Sequence, residues 1–247
     1  MFLKGYPNLT FRATFDREDK DTLIPTHKFA VEQGYNNIFC IPNNLSDWSQ
    51  QDLADLRQQV RDLVNYWMGL FREGKVITFS PIERAIATLD RLKKVKETGG
   101  FRNASQGLGY GKCGTGATGF VSVNYKGDIY ACQELVVDGP EFSVGSIYAG
   151  LDDDKRIRLA SQFDVMKVRS SAEGRCSQCR LSPVCSGGCV ANSFLKSGDW
   201  HVLPEASCVY YETTLIEMER MIEIMTSEGN QAFKSFLSRQ MNASRLV

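Results

Sequence analysis

Hydrophobic and polar positions alternate first with the period of a strand and then with that of helices. Leu9, Phe11, Ala13 and Phe15 interleave with Thr10, Arg12, Thr14 and Asp16, which predicts a strand with one apolar and one polar face. A helix is expected from about Thr22, carrying Phe29, Ala30 and Val31 and stopping at Gly34, and the apolar run Asn37–Pro42 predicts a second strand. Ser49 with Asp52 three residues later resembles a capping pair, after which Leu53, Leu56, Val60, Leu63, Val64, Trp67 and Phe71 recur at helical spacing. Ser80-Pro81-Ile82-Glu83 joins a capping box to a proline in the first turn. Ile82, Ile86, Leu89, Leu92 and Val95 form the stripe of that helix, and Gly99-Gly100 ends it. Leu215, Met218, Met221, Ile222 and Met225 mark a last amphipathic helix, whose methionines read as core packing.

Alternating strands and helices imply an α/β fold with a parallel sheet and helices packed outside it. Two strands do not make such a sheet alone, because parallel sheets need both faces covered. Residues 1–100 therefore read as part of a larger α/β structure, in which the polar face of the first strand suits a barrel lumen. Residues 101–247 have a different character. From Phe120 to Ala131 the pattern predicts a β-hairpin turning at Lys126-Gly127-Asp128, with Val121, Val123 and Tyr125 on one face.

Composition narrows the function classes. Of 247 residues, 43% are apolar and 23% charged, as in ordinary globular proteins. The 29 basic and 29 acidic residues balance, so charge makes no case for nucleic acid or an anionic membrane as partner. No apolar run approaches the roughly 20 residues of a membrane helix, and the opening residues MFLKGYPNLTF lack the apolar stretch of a signal peptide. A cytoplasmic protein is expected, and eight cysteines in a reducing compartment point to metal or redox chemistry rather than disulfides.

Only Cys40 lies in the first 112 residues; the other seven fall between Cys113 and Cys208. From Cys176 the gaps are two residues to Cys179, five to Cys185, three to Cys189 and eighteen to Cys208. Upstream, Cys113 is followed after thirteen residues by Gly127 and after four more by Cys132. Thiolates are soft donors, and a four-iron cluster usually takes four of them. Short gaps let one tight turn present two sulfurs, and the small residues Ser186-Gly187-Gly188 let backbone N–H groups approach them. The hairpin would hold Cys113 and Cys132 near each other across its open end. Zinc also takes four cysteines, and a lone Cys-x2-Cys pair favours it. Seven clustered cysteines leave a zinc site incomplete, whereas iron clusters tolerate an open iron. Cys40, on an apolar strand, reads as a buried structural thiol. His27 and His201, the two histidines, read as surface or satisfied residues. Gly114-Thr115-Gly116-Ala117-Thr118-Gly119 matches the dinucleotide G-x-G-x-x-G literally, but a hairpin follows it where a helix is required.

The pattern Cys113-x13-Gly127-x4-Cys132, then Cys176-x2-Cys179-x5-Cys185-x3-Cys189 and Cys208, with the phrases GDIYAC and CSGGC, closely resembles the SPASM domain. That domain sits at the C-terminus of many radical S-adenosylmethionine (SAM) enzymes that modify ribosomally made peptides and proteins. The resemblance covers about residues 113–210. Leu9–Asp16 and Ile38–Pro42 are similar to two late strands of the radical SAM (β/α) barrel, on order and pattern rather than on chemistry. The resemblance thus implies a partial barrel over residues 1–100 and an auxiliary iron–sulfur domain, a hairpin plus helices, over 101–247.

By the family's ligand scheme, Cys176, Cys179, Cys185 and Cys208 would hold an outer [4Fe–4S] cluster, and Cys113, Cys132 and Cys189 an inner one. Fully ligated relatives carry a further cysteine before the first of the inner set; Gly107–Lys112 has none, so the inner cluster would keep an open iron. Arg12 would point into the lumen, either towards the carboxylate of SAM or as a structural charge. The expected partners are a peptide or protein substrate and a reductant such as a flavodoxin or ferredoxin. Two departures shape the expectation. The SAM-cleaving motif Cys-x3-Cys-x2-Cys does not occur, so the chain reads as a fragment unable to cleave SAM alone. Where sulfatase maturases carry an aspartate after the cysteine matching Cys132, this chain has Gln133 and then Glu134. That disfavours sulfatase maturation and favours thioether or other carbon-centred crosslinking, with Glu134 a substitute base or a solvated carboxylate. The reading of a different class is a non-catalytic metal-binding module for peptide recognition or electron transfer.

Overall fold

The computed structural model describes residues 9–35, 37–76, 78–98, 121–136, 140–162, 175–185 and 188–243. They divide into two units, residues 1–99 with 205–247, and residues 100–204. Cys113, the Gly114–Gly119 run, the Gly107–Lys112 stretch, the Gly99-Gly100 helix stop, Phe120 and Ser186-Gly187 lie outside the described residues.

In the first unit the alternating segment forms β1 (Thr10–Phe15). The apolar run forms β2 (Asn37–Pro42), paired in parallel with β1 from Thr10↔Asn37 to Phe15↔Pro42. Between them α1 (Leu23–Glu32) buries Leu23, His27 and Ala30. Phe29 is exposed and rests edge-on against Phe11. α2 (Gln50–Arg72) opens on the expected reciprocal cap: the Asp52 N–H donates to Ser49 Oγ, and the Ser49 N–H donates to the Asp52 carboxylate. Its whole expected stripe is buried, and each such aliphatic or aromatic side chain contributes about 1.5–3 kcal/mol relative to exposure. β3 (Thr78–Phe79), absent from the sequence reading, pairs in parallel with Asn37 and Ile38 and completes the order β1-β2-β3. α3 (Ser80–Thr98) follows at once, with Ile82 and Ile86 buried and Leu89, Leu92 and Val95 half-buried.

The second unit is an antiparallel meander of β4 (Ser122–Val123), β5 (Asp128–Tyr130), β6 (Ser143–Ser146) and β7 (Gly150–Leu151) in that order. The first turn is built by Asn124, whose Oδ1 accepts from the backbone N–H groups of Lys126 and Asp128, both at 2.9 Å. Gly127 closes it at φ +87°, and a Cβ there would sit 2.9 Å from Ile147 Cγ1. Gly127→Ala is expected to lower stability by about 1–3 kcal/mol, from the left-handed backbone and the displaced isoleucine, measured as a fall in the urea midpoint at unchanged slope. Behind the sheet, Tyr130, Leu135, Phe142, Val144, Leu159, Ala191 and Trp200 pack as one core. Among the described residues of this unit, the helices are α4 (Asp153–Ala160), capped by Asp152; the single turn α5 (Arg175–Gln178); and α6 (Val190–Ser197), which stops at a left-handed Gly198.

The chain then returns to the first unit through α7 (Glu205–Ser227) and α8 (Gln231–Ala243). The sequence reading grouped these residues with the cysteine-rich portion; their packing is on α2, α3 and β2. Met218, Met221 and Met225 are fully buried, as core methionines. The buried Glu217 carboxylate accepts from Arg61 of α2 at 3.0 Å and from Arg220 at 2.6 Å, which keeps its charge paired. No helix among the described residues is long and apolar enough to cross a membrane.

Candidate functional site

The second unit brings two of the predicted ligands into one core. Cys132 follows β5 directly, is buried, and opens a 3-10 turn (Gln133–Leu135) in which the Leu135 N–H donates to its carbonyl at 3.1 Å. Cys189 is half-buried at the N-cap of α6, and both the backbone N–H and the hydroxyl of Ser193 donate to its carbonyl at 3.0 Å. Cys132 belongs to the core around Tyr130 and Leu135, and Cys189 packs against the same core. The 3-10 turn and α6 touch each other. Local geometry sets both thiols: Gly127 turns the strand that ends at Cys132, and Gly188 delivers Cys189. Gly188 sits at φ +82°, and a Cβ on it would lie 2.6 Å from Pro204 Cγ.

Cys176 and Cys179 lie on and just after α5, joined by the Cys179 N–H to Cys176 O contact at 3.4 Å. Successive turns, Ser182 N–H to Cys179 O and Val184 N–H to Leu181 O, carry the chain to Cys185, and all three cysteines are half-buried. Cys208 is half-buried in the first turn of α7, in the first unit. Cys113 is outside the described residues, and among those described no group of three or more cysteine, histidine or acidic side chains is gathered as a metal site. No disulfide joins two described cysteines. The donor set suits a soft metal in chemistry, with one pair of thiols already on a shared core.

Cys40 behaves differently. It is buried on β2, where burial pushes its thiol up to about 12, and its carbonyl accepts the Tyr210 hydroxyl at 2.9 Å. His27 is also fully buried. Its Nδ1 lies 2.7 Å from Leu23 O, Nε2 has no partner, and burial pushes the imidazole down to about 4, so the ring is neutral at pH 7. The sequence reading of a surface or satisfied histidine holds for Nδ1 alone. His201 instead pairs with Asp199 at 3.0 Å, and hydrogen bonds from His201 hold that carboxyl below its usual value. Glu134 is half-exposed in the turn after Cys132, with a long 3.5 Å contact from Gln133 Nε2.

The open face of the first sheet carries the remaining candidate. Arg12 is exposed on β1, opposite Phe39 in the ladder, with its guanidinium carbon 5.0 Å from the Phe39 ring centre. Arg84, from the start of α3, lies 5.3 Å from the same ring and donates to the Tyr211 hydroxyl at 3.3 Å. A cavity of about 240 Å³ is lined by Thr10, Arg12, Phe39 and Arg84, beside one of about 90 Å³ lined by Arg12, Ala13, Thr14, Phe39 and Ile41. The sequence reading missed Arg84 and Phe39. The strand expected over Asn37–Pro42 carried the signal for Phe39, since successive side chains of a strand point to opposite faces and set Phe39 apart from Cys40.

No protein-family model matches the chain, and no curated protein does. The fold is similar to solved structures of anSMEcpe, a radical SAM/SPASM anaerobic sulfatase maturase. Native anSMEcpe with bound AdoMet and Cp18Cys peptide superposes with a TM-score of 0.58 at 15% identity, over 91% of this chain and 60% of that one. Native anSMEcpe with bound AdoMet gives 0.57 at 16% identity, over 87% and 57%. A hexahistidine-tagged form with bound AdoMet gives 0.54 at 15% identity, over 99% and 57%. At these identities the likeness is one of fold, a mixed α/β architecture shared with a radical SAM maturase. The chain spans less than two thirds of the length of these structures.

Proposed function

We propose that this chain is the auxiliary-cluster portion of a radical SAM peptide maturase. In this reading β1, β2 and β3 are consecutive strands of a (β/α) barrel wall, and residues 113–208 hold two [4Fe–4S] clusters. Cys113, Cys132 and Cys189 bind the inner cluster and leave one iron open; Cys176, Cys179, Cys185 and Cys208 bind the outer one. The observation that carries the reading is the packing of Cys132 and Cys189 against a common core, two cysteines 57 residues apart in sequence whose spacing already resembles the ligand pattern. The strand order β1-β2-β3, each strand beside its chain neighbour, supports the barrel assignment.

Bound clusters of this kind supply one-electron transfer and, at an open iron, a coordination position for a ligand. The chain's own residues do the rest. The core around Tyr130, Leu135 and Trp200 keeps water from the Cys132 side. Arg12 offers a guanidinium on the open sheet face for the carboxylate of SAM. The SAM-cleaving motif Cys-x3-Cys-x2-Cys does not occur in these 247 residues, so the chain alone is expected not to cleave SAM, and a flavodoxin or ferredoxin supplies electrons. Gln133 in place of aspartate directs the chemistry to thioether or other crosslinks in a ribosomally made peptide, with Glu134 the nearby carboxylate. Purified without oxygen, the chain is expected to be brown and to hold about eight irons, as two four-iron clusters. A colourless chain holding one or two zinc ions would overturn the proposal in favour of a structural metal module.

A further inference from the structure

The first turns of α7 are seated on the first sheet through one buried hydroxyl. Tyr210 is 1% exposed, its hydroxyl donates to the Cys40 carbonyl of β2 at 2.9 Å, and its ring meets Phe15 of β1 edge-on at 6.0 Å. Cys40 lies two residues beyond Ile38, the last β2 residue that β3 pairs with, so α7 reaches the strand past the end of that pairing. Ala206, Ser207 and Val209 are buried with Tyr210, whereas Cys208 among them is half-buried. Side chains two residues apart on an α-helix point about 200° apart. The side of α7 that carries Tyr210 therefore faces the sheet, and Cys208 stands on nearly the opposite side. Farther along, α7 lies beside α2 in one register: Arg61 with Glu217 and Arg72 with Glu228 are both pairs 156 residues apart. Those ion pairs begin about two and a half turns past Cys208, and Tyr210 anchors the turn next to it.

We propose that Tyr210 is a positioning residue for Cys208, its hydroxyl holding the start of α7 at one height and one rotation on β2. The inference rests on the function proposed above, in which Cys208 is a ligand of the outer cluster. Cys176, Cys179 and Cys185 are set by consecutive tight turns, whereas Cys208 belongs to a separate element and depends on where that helix is held. A slip of one residue along a helix moves a side chain by about 1.5 Å and turns it by about 100°. That is well outside the roughly 0.5 Å within which a ligand constellation has to be held. The ring alone leaves such slips open, because apolar contact is non-directional. A hydroxyl bonded to a fixed strand carbonyl is directional and selects one rotation. Helix ends open more readily than helix centres, and the bond lies at the end that carries the ligand.

The test compares the parent with Tyr210→Phe, which keeps the ring and removes the donor, and with 4-aminophenylalanine at position 210, which puts a donor back. In the metal-free full chain, iodoacetamide is expected to alkylate Cys208 about fivefold faster in Tyr210→Phe, the effect of one neutral hydrogen bond on local opening. Cys185 on the same chain is expected to react at its parent rate, and the amino analogue to restore the parent rate at Cys208. In the chain loaded with iron without oxygen, the reduced outer cluster is isolated by Cys189→Ser, and adding Tyr210→Phe is expected to alter its g values in electron paramagnetic resonance. An unchanged Cys208 rate overturns the proposal, and so does equal acceleration at Cys185, which marks general loosening. An iron-loaded double variant whose outer-cluster signal matches that of Cys189→Ser alone overturns it as well. A parent that binds no iron instead sinks the function proposed above, and the alkylation rates then still decide whether Tyr210 holds Cys208 in place.

Discussion

Cys189→Ser is expected to halve the bound iron, from about eight to about four per chain, while leaving the protein folded. The position lets ligand loss be separated from unfolding. Cys189 is the N-cap of α6, with φ −88° and ψ 105°, and its side chain makes no capping hydrogen bond. Serine in that backbone conformation caps well, so the helix should be unchanged or gain some tenths of a kcal/mol. A three-cysteine cluster that loses one ligand should be lost or strongly labilised, whereas a structural cysteine replaced by a better cap should cost nothing. Cys40→Ala is the control: that thiol is buried, protonated at pH 7 and remote in sequence from the ligand pattern, so iron should stay at its full value. Full iron in Cys189→Ser, or equal iron loss in Cys40→Ala, would contradict the ligand assignment.

How far the chain could be read in advance depended on the range of the interactions involved. The α2 helix was legible because its determinants are local: Ser49 and Asp52 cap each other, and seven apolar residues recur on one face. The Gly127 turn was legible for a similar reason, since Asn124, Gly127 and Asp128 build it among themselves. β3 was not, because two residues carry no periodicity; what makes Thr78–Phe79 a strand is the free side of β2 at Asn37 and Ile38. Likewise, the methionine stripe of α7 announced a buried face without naming its partner, and the partner proved to be α2 and α3 more than 100 residues upstream. In α1 the adjacent apolar residues Phe29, Ala30 and Val31 point about 100° apart around the helix, so the helix buries Ala30 with Leu23 and His27 and leaves Phe29 exposed. At the candidate sites, cysteine spacing disclosed the donors, while Arg84 looked like any solvated helix residue until the β3–α3 connection placed it beside Phe39.

Acidification from about pH 7 to about pH 5 is expected to destabilise the first unit by about 2 kcal/mol through His27 alone, a large share of a typical 5–15 kcal/mol total. The ring sits fully buried between Trp67 and Phe79, with centroid distances of 5.6 Å and 4.7 Å, and its unpartnered Nε2 has nowhere to place a proton. Burial therefore depresses its folded value to about 4 from 6.5. The unfolded chain takes up a proton as pH falls through about 6.5, while the folded chain does not until about 4. The stabilisation is thus complete above about pH 6.5 and is lost on acidification, the loss reaching about 3 kcal/mol by pH 4. Asp52 acts in a separate window: hydrogen bonds from Lys20 and Ser49 lower its carboxyl, so its contribution is present above 3.8 and disappears only below that pH. His27→Phe keeps the aromatic contacts and removes the titrating nitrogen. Urea unfolding of the parent and this variant at about pH 7 and about pH 5 should show the parent losing its 2 kcal/mol and the variant losing little of it. Equal losses in the two proteins would place the acid-sensitive group elsewhere. A variant far weaker than the parent at pH 7 would show instead that the imidazole, through Nδ1 and the Leu23 carbonyl, holds α1 in place.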